Sequence, residues 1–90
     1  MIYKYNFAFR ELEQWEGDRC VSKTPIDAVY NQFFRGVNIS DFEVVRRMAQ
    51  RNGQREIELR HYNDWTKREY SYSFMDAYTG DQRSTGDDGF

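Results

Sequence analysis

Few side chains in this sequence could act as a nucleophile and its base. Cys20 is the only cysteine and His61 the only histidine in ninety residues. Nucleophilic catalysis needs a thiol or hydroxyl beside such a base, and no Cys or Ser motif accompanies either residue. We therefore predict a structural histidine and a half-buried strand cysteine. A Cys20–His61 enzyme is kept only as a third hypothesis.

Metal, cofactor and phosphate sites are not indicated either. One His and one Cys fall short of the four ligands of structural zinc, and the aspartates that follow Tyr78 lack the alternation of a calcium loop. The glycines before it are isolated, unlike those of a phosphate-binding loop. The spacing of two carboxylate pairs, Glu11/Glu13 and Glu56/Glu58, places the members of each pair on one face of a strand. Ion pairing with basic residues is a sufficient reason for carboxylates in these positions. We predict no cofactor, no metal and no catalytic residue.

Basic and aromatic residues between positions 35 and 68 raise the possibility of nucleic-acid binding. Eight basic residues stand there against five acidic ones, and arginines with aromatics on a sheet can hold phosphates and stack bases. A mixed-charge solvated face is the simpler interpretation, because phosphate binding usually shows a clearer excess of positive charge. The candidate residues of this alternative are Arg46, Arg51, Arg55, Lys67 and Arg68.

The aromatic residues outside the regular patterns favour protein binding. Trp15 and Trp65 fall in predicted turns, and Tyr62 falls on the polar side of a predicted strand. Such side chains are costly to leave in water and are favoured anchors at protein interfaces. The alternative interpretation is that they cap a small core. Exposed sheet edges could also pair with another chain, including a copy of this one.

The composition describes a single small soluble domain. Aromatic residues make up 18% of the chain, which suits a short sequence that must bury much area with few side chains. The formal charge of −2 argues against a polyanion-binding protein as a whole. A lone cysteine excludes an internal disulfide and suggests a reducing, cytoplasmic setting; the alternating N-terminus resembles neither a signal peptide nor a membrane span.

Alternation predicts the first strands. Residues 2–10 place a ring at every second position, which is the period of a half-buried strand. Bringing Leu12 onto the same face as Phe9 requires a bulge near Arg10 or Glu11. A turn at residues 15–18 then lets residues 19–23 return as a second strand.

A helix should follow. Thr24 can cap it, Pro25 suits its first position, and Asp27 is placed for a capping box. Its apolar stripe, which ends near Gly36, should cover the sheet. The residues of the stripe are Ile26, Val29, Tyr30 and Phe33.

Residues 41–52 are ambiguous. Ser40 with Glu43 forms a second capping box that could start a helix. The rival is a strand from Phe42 that turns at Asn52–Gly53, the strongest short hairpin signal, and this is the prediction we adopt. It pairs Arg47 with Glu58, Met48 with Ile57, and Val44 with His61.

A second hairpin, with residues 63–66 as its loop, continues the same face. It pairs Leu59 with Tyr70, Ile57 with Tyr72 and Arg60 with Glu69, which leaves Ser71 and Ser73 outside and Phe74 inside.

The sequence therefore predicts an α+β domain over residues 1–75 with order β-β-α-β-β-β. One helix packs on one face of a curved antiparallel sheet, and residues 76–90 form a mobile acidic tail. The function expected first is a small non-enzymatic protein-binding module, such as an accessory or inhibitor protein of a phage or mobile element that occludes a partner protein or binds a copy of itself.

Overall fold

The computed structural model describes the backbone of residues 1–63 and 68–84 and the side chains of residues 1–60 and 73–83. Within these ranges the chain is a small α+β structure in which two helices pack on a six-stranded sheet. The elements are β1 (Ile2–Asn6), β2 (Glu11–Glu16), β3 (Arg19–Pro25), α1 (Ile26–Phe33), α2 (Asp41–Arg51), β4 (Glu56–Asn63), β5 (Arg68–Asp76) and β6 (Gln82–Ser84).

The sheet is mixed, with the order β3-β2-β1-β4-β5-β6. Neighbouring strands are antiparallel except β1 and β4, which run parallel with Tyr5 opposite Leu59. The prediction of a wholly antiparallel sheet is therefore wrong at its centre. A parallel pair needs a long crossover, and the segment from β2 to α2 supplies it. The Gln54 side-chain amide also joins these strands, because it accepts from the Tyr3 N–H at 2.9 Å and donates to the Tyr3 carbonyl at 2.8 Å.

The first predicted strand is shorter than expected, and an additional strand, β2, follows it. Strand β1 ends at Asn6, and residues 7–10 turn the chain into β2, with Arg10 at a φ of 54°. Residues 7–10 form a turn between two strands, so the bulge predicted near Arg10 or Glu11 is wrong. The following hairpin is confirmed, since β2 and β3 pair across a turn where Gly17 has a φ of 61°.

Helix α1 forms where the sequence predicted it, but its cap and one of its faces differ. Pro25 is the residue that precedes the helix and no side chain caps it, so the predicted Thr24 cap is wrong. Ile26 and Val29 are buried against the sheet as predicted. Phe33 is 42% exposed, which places the end of the predicted stripe outside the core.

A single arginine joins the starts of the two helices. The Arg10 guanidinium donates to Asp27 at 3.0 Å and to Asp41 at 2.9 Å, each in the first turn of its helix. These hydrogen bonds raise the pKa of Arg10 above its ordinary value. At the other end, Arg51 of α2 lies over the ring of Phe33 of α1 at 4.9 Å. The two helices therefore run side by side in the same direction.

Residues 41–51 are helical, so the predicted strand there is wrong. The Ser40 Oγ accepts from the Glu43 N–H at 3.2 Å, which is the capping interaction that the alternative required. An apolar stripe holds α2 on the sheet, because burial of side chains stabilises a short helix more than propensity does. The buried residues of the helix are Val44, Val45, Met48 and Ala49.

The Asn52–Gly53 pair ends this helix instead of turning a hairpin. Gly53 has a φ of 70°, and the Gln54 N–H donates to the Ala49 carbonyl at 2.8 Å, as in a glycine-terminated helix. Without the hairpin, its three predicted pairs do not form. They were Arg47 with Glu58, Met48 with Ile57, and Val44 with His61.

The second predicted hairpin exists, but its register differs. Strands β4 and β5 are antiparallel with Ile57 opposite Met75 and Leu59 opposite Ser73, three positions from the predicted pairing. An odd shift exchanges the faces of every residue. Ser73 is therefore buried beside the core, and Phe74 lies on the opposite face.

The end of the described chain is regular as far as Ser84. Residues 77–80 turn, and β6 pairs with β5, so these elements fall within the stretch predicted as a tail. The Asp76 carboxylate accepts from the N–H groups of Tyr78 and Thr79 at 2.8 and 3.0 Å. Residues 85–90 lie outside the described residues, and the mobility of the tail stays a prediction.

The core lies between the helices and the inner face of the sheet. Burial, with the nearby Asp41 carboxylate, raises the pKa of Tyr5 at its centre to about 12. The buried apolar residues are Tyr5, Leu12, Ile26, Val29, Phe34, Val44, Val45, Met48, Ala49, Ile57, Leu59, Met75 and Ala77.

Candidate functional site

The sheet face opposite the helices carries a row of six residues, five of them charged, that crosses all six strands. Each residue of the row lies opposite the next one in the strand register, and the charges alternate over the first four strands. Opposite charges across strands stabilise a sheet. In strand order the residues are Lys23, Glu13, Lys4, Glu58, Phe74 and Arg83. We call them the charge row.

Glu13 is the most buried member of the charge row. Its side chain is 1% exposed, and its Oε1 accepts from Arg60 at 2.8 Å and from the Trp15 indole N–H at 2.9 Å. Asn6 donates to the other oxygen at 3.5 Å. A buried carboxylate is tolerated only when it is paired and hydrogen-bonded, and this one is both. The arrangement joins β1, β2 and β4, which indicates a structural role.

Trp15 is held inside this arrangement and not in a turn. It lies in β2 and is half-buried. Lys4 lies 4.1 Å and Arg60 5.3 Å from ring centroids of its indole, and such cation–π contacts are favourable. Its partner-binding role stays a prediction. The side chains of the other two predicted anchors, Tyr62 and Trp65, lie outside the described residues.

The predicted basic patch is dispersed over the described part of the chain. Arg46 donates to the Ala77 and Tyr78 carbonyls at 3.2 and 2.8 Å and pairs with Glu43 at 2.7 Å, which ties α2 to the turn after β5.

Arg55 and Arg51 have different partners. Arg55 pairs with Asp76 at 3.1 Å, whereas Arg51 lies on the ring of Phe33. The side chains of Lys67 and Arg68 are outside the described residues. The interaction of Arg47 is with Glu43 at 3.0 Å, not with the predicted Glu58.

Exposed apolar side chains gather where the two helices end. Phe33 and Val37 are 42% and 40% exposed. The Tyr30 hydroxyl donates to the Val37 carbonyl, and Tyr30 lies one helical turn before Phe33. We call the surface formed by Tyr30, Phe33, Val37 and Arg51 the helix-end patch.

Two adjacent phenylalanines in the sequence indicate this patch, although the predicted apolar stripe placed Phe33 on the face that covers the sheet. Phe33 and Phe34 are adjacent, and neighbouring residues on a helix point about 100° apart. Only one of the two can face the core of a two-layer fold. Phe34 is the buried one, at 9% exposure, so its neighbour is left outside.

A second aromatic group lies where the helices begin. The Phe42 ring contacts Tyr5 and Phe7, with centroids 5.7 and 6.0 Å apart. Phe42 and Phe9 remain partly exposed, but the Phe42 ring is stacked on the end of the core.

One open depression, with a volume of about 350 Å³, lies beside β5 and β6. Phe74 forms part of its lining, under the Arg83 guanidinium at 4.9 Å. Arg83 pairs with Glu56 at 2.5 Å, and the other lining arginine, Arg55, pairs with Asp76. An anionic ligand would have to compete with these carboxylates for both arginines.

The possible catalytic pair is not brought together. Cys20 lies in the edge strand β3, and its thiol contacts the Ser22 carbonyl at 3.5 Å. His61 lies in β4, three strands away, which separates the two backbones by roughly 14 Å at a spacing of about 4.8 Å per strand. In residues 1–60 and 73–83, no group of three His, Cys, Asp or Glu side chains is placed to hold a metal ion.

Neither described helix is long and apolar enough to cross a membrane. Comparison with family models, curated proteins and solved structures finds no match to this chain.

Proposed function

We propose that this chain is a small non-enzymatic protein-binding module that contacts its partner through the helix-end patch. The observation that carries the proposal is the joint exposure of Phe33 and Val37 beside the aromatic Tyr30. Single exposed apolar residues are ordinary, but a contiguous group of them marks an interaction surface.

The chemistry of the helix-end patch suits a protein contact. Aromatic residues and arginine are enriched among the side chains that dominate binding energy at protein interfaces. Phe33 with Arg51 stacked on it supplies both kinds of group. Because the ring is already held by Phe34 and Arg51, little side-chain freedom remains to be lost on binding.

The charge row is a weaker candidate for the contact. Its central charges already have partners, since Lys4 pairs with Glu58 at 3.7 Å and Glu13 pairs with Arg60. A partner would have to replace these interactions, at a desolvation cost that often equals the gain. Trp15 remains a proposed secondary contact.

The alternative function, nucleic-acid binding, is supported less well. Phosphate binding depends on several cations that are free to release counterions, whereas Arg46 and Arg55 are each paired with a carboxylate. Among the described candidates, Arg51 alone makes no ion pair, and it lies over the apolar ring of Phe33.

The experiment is affinity capture from a lysate of the cells that make the protein, with and without nuclease. A Phe33→Ser/Val37→Ser variant should lose at least about tenfold of the captured partner, as expected when two apolar anchors are removed. The matched control is Ile2→Ser/Val21→Ser, because Ile2 and Val21 are 45% and 40% exposed and lie in strands.

Circular dichroism and the unfolding midpoint show whether both variants keep the fold. A folded patch variant that captures as much partner as the native protein contradicts the proposal, as does a complex that nuclease abolishes.

A further inference from the structure

We propose that the helix-end patch is built for an acidic segment of a partner protein, one that carries carboxylates next to an apolar anchor. The inference rests on the proposed function and adds the chemistry of the partner. It follows from the charges around the patch and from the ring at its centre.

The surroundings of the helix-end patch carry positive charge without acidic neighbours in the chain. Residues 28–40 contain no Asp or Glu and one arginine, Arg35. Arg35 and Arg51 are both exposed, and in the described part of the chain neither makes an ion pair. Arg47, one turn before Arg51, is already paired with Glu43.

The two arginines outweigh the helix dipoles. Each helix end carries roughly half a negative charge from its unpaired carbonyls, and this partial charge is screened by solvent. Two full guanidinium charges therefore leave this end of the helix layer positive by about one charge. Asp27 and Asp41 lie at the opposite end of the helices and are bound by Arg10, whereas Glu43, in the first turn of α2, is bound by Arg46 and Arg47. The helix layer is thus polarised along its length.

The apolar part of the helix-end patch favours a protein partner over a nucleic acid. Phe33 and Val37 offer apolar surface, which an apolar side chain covers and a phosphate backbone does not. The Arg51 guanidinium lies 4.9 Å from the centre of the Phe33 ring, and a guanidinium can bind a carboxylate through two hydrogen bonds. Two free cations are few for a nucleic-acid site.

The test is selection of a displayed library of random 12-residue peptides on the native protein. Enriched peptides should contain more Asp and Glu than the input library, together with an aromatic or aliphatic residue. Selected peptides should bind the Arg35→Gln/Arg51→Gln variant about tenfold more weakly, as expected for the loss of two exposed charge pairs.

The matched control is Arg19→Gln/Lys23→Gln. It removes the same charge from two exposed residues of β3 and should bind the selected peptides as the native protein does.

Other results assign the surface differently. Enriched peptides without excess acid, or binding equally weakened in the β3 control, overturn the acidic partner. If such peptides still require Phe33 and Val37, the protein-binding function stands. Retention of a random oligonucleotide pool that only the Arg35→Gln/Arg51→Gln variant loses assigns the surface to nucleic acid. Light scattering that shows a dimer of the native chain and a monomer of the Phe33→Ser/Val37→Ser variant assigns it to a second copy.

Discussion

At the scale of single residues, the charged side chains in the described part of the chain divide into those that make ion pairs and those that make none. Glu13, Arg60 and Lys4 belong to the first group, and they surround Trp15 on the outer face of the sheet. Arg35 and Arg51 belong to the second group. Sequence alone ranks all of these residues alike, because whether a charge is paired depends on its neighbours in space.

Replacing Glu13 should be far more damaging than replacing Glu58. Glu13→Gln removes the carboxylate that pairs with the Arg60 guanidinium at 2.8 Å, and the Arg60 side chain is itself only 17% exposed. Loss of a mostly buried, charge-assisted hydrogen bond costs about 2 to 3 kcal/mol of unfolding free energy. Urea denaturation of the native chain and the variant measures this difference.

Glu58→Gln is the matched control, since the Glu58 side chain is 22% exposed and lies 3.7 Å from Lys4. An accessible pair of this kind contributes under about 1 kcal/mol. Equal stability of the two variants would mean that Glu13 does not bind Arg60 in solution.

At the scale of elements, one local sequence signal can be compatible with two different structures. Asn52–Gly53 supplies a positive φ, which both a hairpin turn and the end of a helix require. The burial of Val44, Val45 and Met48 against the sheet decides for the helix. The Ser40 cap and the start of α2 can be recognised in the sequence. Choosing between the helix and the hairpin, however, requires knowing which residues form the core, and that depends on the whole fold.

The strand registers were also predictable only in part. The turn at Gly17 has a short loop and strong local preferences, and the β2–β3 hairpin was predictable. The β4–β5 register was not, because it contains an irregularity between His61 and Tyr62 that shifts one strand against the other. Ser73 and Phe74 were assigned to the wrong faces for this reason.

The turn between β5 and β6 should make stability depend on acid pH. Hydrogen bonds from the N–H groups of Thr79 and Tyr78, with the neighbouring Arg55, lower the pKa of Asp76 from 3.8 to about 2. A lowered pKa stabilises the fold while the carboxylate is ionised. This contribution is complete above about pH 4 and is lost as the pH falls toward 2.

Asp76→Asn should therefore destabilise the protein at pH 6 and have little effect near pH 2, when unfolding free energies are measured across this range. Asp81→Asn is the control: the carboxylate of Asp81 is exposed and makes no ion pair in the described part of the chain. If the unfolding free energies of the native protein and Asp76→Asn differ by the same amount at all pH values, the ionised Asp76 carboxylate does not stabilise the fold in this way.

At the scale of the whole molecule, the centre of the sheet was beyond sequence reasoning. The parallel pairing of β1 with β4 joins residues more than fifty positions apart, and no local pattern records it. Alternation in residues 2–6 and in β4 identified the strands but not their neighbours. The α+β class was predictable because it depends on the elements alone.

The proposed binding surface follows from this architecture. Two helices that run in the same direction place both of their ends, Phe33 and Arg51, on one side of the molecule. Acidic residues collect at the opposite end around Arg10. The small net charge of −2 conceals this separation, which is why composition alone indicated no charged partner.

The most direct measurement of the central claim is site-specific photo-crosslinking in the cells that make the protein. Benzoylphenylalanine is placed at Val37 in the helix-end patch or at Val21 in β3, two valines that are each 40% exposed. If the helix-end patch contacts a protein partner, we expect a protease-sensitive, nuclease-resistant adduct from position 37 and none from position 21. An adduct from position 21 alone, equal adducts from both positions, or an adduct that nuclease digests would contradict it.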